Sequence, residues 1–189
     1  MKSVLISIQP KWCELIASGI KTVEVRKSKP KLETPFKAYI YQTKIQWVYS
    51  VLRKMGLNDL VNKLALGTGK VIGEFVCDSV DTVDYSPDYY FTRFNTCLST
   101  AEMWKYGKGK ALFSWHISNL VIYDKPKELG EFYNECEKPE CEDCPNLVVE
   151  NTPDYYEVFC CYDEKIPITR PPQSWCYVES EVDTKCQHI

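Results

Sequence analysis

The sequence contains little histidine and no long apolar segment. Histidine occurs twice, at His116 and His188, which argues against a Cys/His catalytic pair and favours a structural role for His116. No apolar run approaches the roughly 20 residues that a membrane-spanning helix needs. The opening MKSVLISIQPKW reaches a proline and a lysine before a signal-like core forms. We therefore expect a cytoplasmic protein that is not embedded in a membrane.

The bulk composition is that of an ordinary globular protein. The chain has 189 residues, of which 44% are hydrophobic, 13% aromatic and 26% charged, so a largely disordered chain is excluded. The length predicts one domain over residues 1–189. Disulfide frameworks belong mostly to secreted chains too small to build a core. We therefore expect the ten cysteines to be reduced thiols, with some of them on a metal.

The charges are distributed unevenly along the chain. Residues 1–70 hold 13 Lys and Arg against 4 Asp and Glu, a balance of +9. Residues 71–189 hold 10 against 22, a balance of −12. A concentrated basic segment is typical of proteins that bind a polyanion such as nucleic acid. The alternative is that these lysines only solvate one surface.

The pattern of apolar residues predicts strands at both ends and in the middle of the chain, with helices between them. No regular strand–helix repeat appears, which argues for a mixed α+β fold and against a doubly wound sheet. The predicted strands span 4–8, 22–27, 38–41, 70–83, 111–123 and 175–178; the predicted helices span 10–18, two segments within 45–66, and 126–134. An aromatic helical insertion is expected at 84–109, and a Cys-rich acidic insertion at 135–165.

Three charged residues lie close together near the second predicted strand. Lys21 precedes the strand, and alternation places Glu24 and Arg26 on one face, with Val23 and Val25 on the other. Arginine can bind a phosphate bidentately, lysine supplies a point charge, and glutamate can accept hydrogen bonds from the amino group of a base. The group suits a nucleotide ligand. The alternative is an exposed ion pair that contributes little.

The segment before the last strand carries a second set of candidate ligand-binding residues. A stiff Pro pair precedes Gln173, Ser174 and Trp175, which offer an amide, a hydroxyl and an aromatic face to a base. Stacking of a base on tryptophan is worth roughly 1–3 kcal/mol. Trp175 could equally be a core residue. For Trp12 and Tyr41 we favour core packing.

The Cys-rich segment has a spacing suited to a structural metal. Thiolates in a C-x4-C-x2-C pattern, followed by a fourth some 16 residues later, can close a tetrahedral zinc site without an open position. The predicted ligands, here called the cysteine cluster, are Cys136, Cys141, Cys144 and Cys160. The alternative is a set of thiols without metal in an acidic loop.

The opening segment SIQPKWCELIASGIKTVEVRK resembles the signature of the ASCH family, a branch of the PUA-like small β-barrels. The family pattern Gly-x-Lys-x-x-Glu-x-Arg corresponds to Gly19, Lys21, Glu24 and Arg26. The later segments GKVIGEFVC, ALFSWHISNLVIYDKPKEL and TRPPQSWCYVE also resemble ASCH strands, particularly those of phages and mobile elements. The resemblance implies a small mixed barrel with peripheral helices. It further implies that RNA, or a nucleotide-like ligand, binds between the barrel and the first helix.

Two other functions stay open at this point. Some ASCH proteins resemble amidohydrolases acting on acylated cytidine, and ribonuclease activity is also attributed to the family. In an enzyme, Lys21, Glu24 and Glu74 are the candidate catalytic residues. The amidohydrolase-like members carry a threonine where this chain has Glu24. This difference removes the expected nucleophile unless Thr22 or Ser7 takes its place, so we rank binding above hydrolysis. Residues 126–164 hold 12 acidic and 2 basic residues, and this arm could instead bind a partner protein.

Overall fold

The structure is a computed structural model that describes residues 3–44, 53–56, 68–83, 95–134, 147–152, 155–160 and 167–179. Two α-helices that are described over their whole length and one short 3-10 helix accompany the strands, and residues 53–54 and 95–96 are also helical. The helices are α1 (Pro10–Ala17), α2 (Thr100–Gly107) and the 3-10 helix Leu129–Glu131. The strands are β1 (Ser3–Ile8), β2 (Val23–Arg26), β3 (Phe36–Gln42), β4 (Val71–Thr82), β5 (Phe113–Lys127), β6 (Leu147–Thr152), β7 (Tyr155–Cys160) and β8 (Trp175–Val178).

Six of the strands form one mixed sheet in the order β2-β5-β4-β3-β1-β8. β1 runs parallel to β3, and the other pairings are antiparallel. β6 and β7 form a separate two-stranded sheet. This mixed arrangement confirms the predicted α+β class and excludes a doubly wound parallel sheet.

The two faces of the sheet are both covered. Val4, Ile6 and Ile8 of β1 belong to the main core, whereas Leu5 belongs to a second cluster on the opposite face. The apolar run of β1 is therefore continuous, as expected for a strand buried on both sides. The main core is centred on Trp115, whose ring meets that of Phe36 edge to face at 5.5 Å.

Side chains join the two edges of the sheet, which curves it into a half-barrel. The indole N–H of Trp175 in β8 donates to the hydroxyl of Ser28, just after β2, at 3.1 Å. The backbone N–H of Lys31 donates to the hydroxyl of Tyr177 at 2.8 Å. Trp175 also packs on Trp115, with ring centroids 6.0 Å apart. These contacts link β2 and β8 without a strand ladder.

Local signals account for the ends of both helices. Pro10 occupies the first turn of α1, where its missing N–H is not needed, and Gly19 follows the helix with a φ of +74°. α2 begins with a capping box in which Ser99 and Glu102 satisfy each other's backbone N–H groups. Within the described residues, no helix has both the length and the apolar character to cross a membrane.

Several predicted elements differ from the structure or lie outside the described residues. The predicted helix at 126–134 is wrong, because β5 continues to Lys127, which pairs with Val71, and only one 3-10 turn follows. Pro126 is tolerated there because it lies near the end of a strand. Most of the predicted helices in 45–66, residues 84–94 of the aromatic insertion and much of the Cys-rich insertion lie outside the described residues. The division into one domain with two insertions stays a prediction.

Candidate functional site

A cleft of about 1350 Å³ lies between α1, the β1–β2 region, α2 and the segment before β8. Its lining combines charged, aromatic and neutral polar side chains. The charged residues are Lys21, Glu24, Arg26, Lys44, Glu102 and Lys105; the aromatic and apolar residues are Trp12, Val25, Tyr41, Leu98, Tyr106, Pro171 and Pro172; the neutral polar residues are Ser7, Gln9, Thr43 and Gln173.

The ammonium group of Lys21 is buried and fully engaged. Only 2% of the residue is exposed. Its Nζ donates to the carbonyl oxygens of Val23 at 2.7 Å and Thr96 at 2.6 Å, and lies 3.3 Å from Oε2 of Glu24. A lysine ammonium has three hydrogens, so these three acceptors use all of them. Lys21 therefore holds other groups in place and has no hydrogen left for a ligand.

Glu24 and Arg26 lie on the same face of β2 and form the second half of the buried group. Nη2 of Arg26 lies 3.1 Å from Oε1 of Glu24 and donates to the carbonyl oxygen of Ser7 at 2.6 Å. Both side chains are only 8% exposed, so the exposed ion pair considered as the alternative is wrong. Within the described part of the chain, Nε of Arg26 is buried and has no hydrogen-bond partner.

The three residues, here called the charge cluster, are unbalanced in charge. Two cations, Lys21 and Arg26, share the single carboxylate of Glu24, which gives the cluster a formal net charge of +1. Burial weakens the screening of this charge by water. The floor of the cleft is therefore suited to an anionic group.

Aromatic side chains form the walls around the charge cluster. The Trp12 ring has Nζ of Lys11 at 4.4 Å and Nζ of Lys21 at 5.3 Å from its centroid. The Tyr106 ring has Nζ of Lys27 at 4.7 Å. Burial raises the pKa of Tyr106, although Arg26 opposes this shift by its charge and a hydrogen bond. Trp12 also packs against the main core, so it serves both core and cleft.

The other predicted ligand-binding residues lie in different places. Gln173 lines the cleft. Ser174 does not line it, and its carbonyl oxygen accepts a hydrogen bond from the N–H of Ser7 at 2.9 Å. Trp175 packs between Trp115 and Tyr177, which is the arrangement expected if Trp175 is a core residue. The ligand-binding roles stay predictions, and only Gln173 of this set shares the cleft with the charge cluster.

Glu74 lies away from the cleft lining. Its carboxylate accepts a hydrogen bond from the Tyr123 hydroxyl at 2.6 Å and lies 3.0 Å from Nζ of Lys37. Burial acts to raise the pKa of Glu74, but the bonds from Tyr123 and Lys37 outweigh it, and the pKa lies below its usual value. The structure thus does not bring Glu74 together with Lys21 and Glu24.

The proposed zinc ligands fall largely outside the described residues. Cys136, Cys141 and Cys144 are not described, and Cys160 is described only as the last residue of β7. Elsewhere in the described ranges, no three His, Cys, Asp or Glu side chains are grouped as metal ligands. The zinc site stays a prediction.

Several residues of the site did not emerge from the sequence, among them Lys44 and the α2 region. Lys105 and Tyr106 of α2 line the cleft, and the carbonyl oxygen of Thr96 holds Lys21. The Ser-x-x-Glu pattern at Ser99 and Glu102 is a recognisable helix start. It would have placed Glu102, Lys105 and Tyr106 on one face of a helix, which is the face that meets the cleft.

The fold and cleft define a half-barrel α+β protein with a buried charged site, and comparison with known proteins places it in a family. The family model described as "ASCH domain" matches residues 6–127, well over half of the chain. The protein belongs to the ASCH family.

Solved structures show a similar fold at low sequence identity. An ASCH protein from Zymomonas mobilis is 20% identical with a TM-score of 0.50, covering 68% of this chain and 74% of that one. A tyrosine-to-phenylalanine mutant of ZmASCH from the same organism is 20% identical with a TM-score of 0.48, covering 68% and 77%. A comparison with curated proteins gives no match.

Proposed function

We propose that this ASCH protein binds nucleic acid, with RNA as the expected polymer, or a nucleotide-like ligand, and that one nucleotide occupies the cleft. One observation carries the proposal: two buried cations, Lys21 and Arg26, share the carboxylate of Glu24. The excess positive charge attracts a phosphate, and Arg26 places its delocalised positive charge in the cleft lining. The carboxylate of Glu24 remains an acceptor for the amino group of a base.

The walls and the size of the cleft support the same ligand class. Trp12 and Tyr106 offer aromatic surface on which a base can stack, and Lys44 and Lys105 add positive charge to the lining. Pockets for small molecules usually enclose about 300–1,000 Å³. The cleft is larger, at about 1350 Å³, which favours a ligand that extends beyond a single small molecule.

Binding of labelled single-stranded RNA and of nucleoside monophosphates, measured at several salt concentrations, tests this proposal. We expect Lys44→Gln and Lys105→Gln to weaken RNA binding and to reduce the salt slope by about 0.7 for each phosphate that the lysine no longer neutralises. Lys125→Gln, at the exposed far end of β5, is the matched control and should change neither quantity. The proposal would be contradicted if the affinity for RNA changed neither with salt concentration nor in Lys44→Gln or Lys105→Gln.

Arg26→Lys provides a second test at the floor of the cleft. This variant keeps the positive charge but removes the planar fork and the unpartnered Nε–H. We expect weaker RNA binding than in the wild type while the circular dichroism spectrum is retained. Equal affinity in a folded variant would show that the ligand does not contact Arg26.

The hydrolase alternatives, an amidohydrolase on N4-acylated cytidine or a ribonuclease, have less support. The hydrogens of Lys21 are all engaged, and Glu24 replaces the expected nucleophile. The Ser7 hydroxyl donates to the carbonyl oxygen of Pro172 at 2.7 Å, and Glu74 is paired elsewhere. Incubation with N4-acetylcytidine and with labelled RNA, beside a Lys21→Ala control, tests for hydrolysis. Turnover that this variant abolishes would overturn our ranking.

A cytoplasmic setting completes the proposal. Cys13 and Cys77 are buried as unpaired thiols, which suits a reducing compartment.

A further inference from the structure

We infer that the outer face of α2 and the turn after it form a second contact surface, over which a single-stranded nucleic acid runs as it leaves the cleft. The surface, here called the Trp104 platform, comprises Trp104, Lys105, Lys108 and Lys110. The inference rests on the proposed function, because the cleft must hold one nucleotide of the strand.

The aromatic part of the platform is open to solvent. Trp104 is 62% exposed, whereas its neighbour Met103, which anchors α2 to the protein, is 4% exposed. Tryptophan side chains are on average highly buried, so an exposed one on a fixed helix calls for an explanation. Stacking of bases on exposed aromatic rings is the main sequence-tolerant contact of single-strand binders. Trp104 has the ring and the exposure for this contact.

The charge around Trp104 fits the same partner. Residues 104–110 read WKYGKGK, with three lysines and no acidic residue, and all three lysines are exposed. Lysines between aromatic rings can attract the phosphates that connect stacked bases. A protein partner fits less well, because lysine is depleted from protein interfaces and a single tryptophan among lysines is not a contiguous apolar patch.

The platform is continuous with the cleft. Lys105 lines the cleft and lies about 100° around α2 from Trp104, since an α-helix turns once in 3.6 residues, so Lys105 borders both the cleft and the platform. Lys27 adds a further cation over the Tyr106 ring at 4.7 Å. A strand that leaves the cleft over Lys105 and continues around the helix therefore meets Trp104 and its lysines next.

Local hydrogen bonds hold the platform in a defined conformation. The capping box of Ser99 and Glu102 fixes the start of α2. The N–H of Lys108, in the left-handed conformation with φ of +52°, donates to the carbonyl oxygen of Trp104 at 2.9 Å. Because the ring is presented on an ordered helix end, less conformational entropy is lost on binding.

Binding of a nucleoside monophosphate and of single-stranded oligonucleotides of about eight nucleotides to the full chain tests the inference. We expect Trp104→Ala to weaken oligonucleotide binding roughly 5- to 150-fold, since one stacked base is worth about 1–3 kcal/mol, and to leave monophosphate binding unchanged. Trp104→Tyr should restore most of the affinity because it keeps an aromatic face. Lys108→Gln should reduce the salt slope of oligonucleotide binding alone.

The controls separate the inference from the function on which it rests. Val121→Ala changes another exposed apolar residue, on β5, and should have no effect. Comparing RNA and DNA oligonucleotides of the same sequence shows whether binding needs a 2′-hydroxyl. If wild-type protein binds oligonucleotides but Trp104→Ala binds them equally well, the platform is overturned and the proposed function survives. If the wild type binds neither ligand, both are overturned.

Discussion

Removal of Glu24 should destabilise the protein more than removal of Lys21. Glu24→Gln leaves two cations, on Lys21 and Arg26, close together and more than 90% buried, without an anion between them. Lys21→Met leaves the neutral pair of Glu24 and Arg26 intact. Lys21→Met destabilises the protein because the carbonyl oxygens of Val23 and Thr96 lose their hydrogen-bond donor. The order of the two effects follows from the count of charges.

The magnitudes follow from the burial of the cluster. Breaking a buried ion pair costs about 3–5 kcal/mol, so we expect about 5 kcal/mol for Glu24→Gln and about 3 kcal/mol for Lys21→Met. The double variant, which combines Lys21→Met with Glu24→Gln, retains one cation, Arg26. Its loss of unfolding free energy should be smaller than the sum of the two single losses. Groups in one network couple by about 0.5–3 kcal/mol, and a value in the upper half of that range is expected.

Urea denaturation, with linear extrapolation of the unfolding free energy, measures these differences. Lys37 and Glu74 provide a matched control, because their ion pair has a similar length of 3.0 Å but side-chain exposures of 34% and 23%. Their coupling energy should stay below about 1 kcal/mol. A larger cost for Lys21→Met than for Glu24→Gln, or additive effects in the double variant, would refute the reasoning.

Three further measurements test other parts of the molecule. Because its pKa is lowered in the folded state, ionised Glu74 adds stability above its unfolded pKa that is lost as pH falls through the lowered value. The stability difference between wild type and Glu74→Gln, measured by denaturation, should therefore shrink in acid; a constant difference contradicts this. Burial raises the pKa of Cys176 from 9.0 to about 11 and that of Cys77 to about 12, so at about pH 8 their thiolate fractions fall roughly 100- and 1000-fold. Peptide mass spectrometry should find both alkylated far more slowly in folded than in unfolded protein, and equal rates would rule this out. Native mass spectrometry of protein prepared without chelator should show one zinc ion on the cysteine cluster; metal-free protein counts against that site.

Elements with strong local signals could be predicted from the sequence. Pro10 and Gly19 bracket α1, and its predicted span of 10–18 is one residue longer than the observed helix. The last strand, Trp175–Val178, has the predicted bounds. The sheet order could not be predicted, because β1 pairs with β3 and β2 with β5 through contacts between distant segments. Local patterns carry no information on these pairings.

The charge cluster was predictable in its residues but not in its burial. Alternation along β2 placed Glu24 and Arg26 on one face, as observed. The same alternation suggests that one face of the strand meets solvent, yet Val25 and Arg26 are both buried. The face that carries Val25 is covered by α2 and the segment after it, because Val25 packs in one cluster with Met103 and Leu112. This covering comes from residues some 80 positions later, beyond the reach of a periodicity argument.

The hydrogen bonds of Lys21 give it a structural role within the charge cluster. Its Nζ joins the carbonyl oxygen of Val23, at the start of β2, to that of Thr96, just before α2. The N–H of Thr22 reinforces this link by donating to the carbonyl oxygen of Asn95 at 3.0 Å. Lys21 therefore fastens the α2 wall to the floor of the cleft and orients Glu24, while Arg26 lines the cleft beside them. Under the proposed function, replacement of Lys21 should therefore weaken binding by shifting α2 and the Trp104 platform, because the ammonium hydrogens of Lys21 are engaged within the protein.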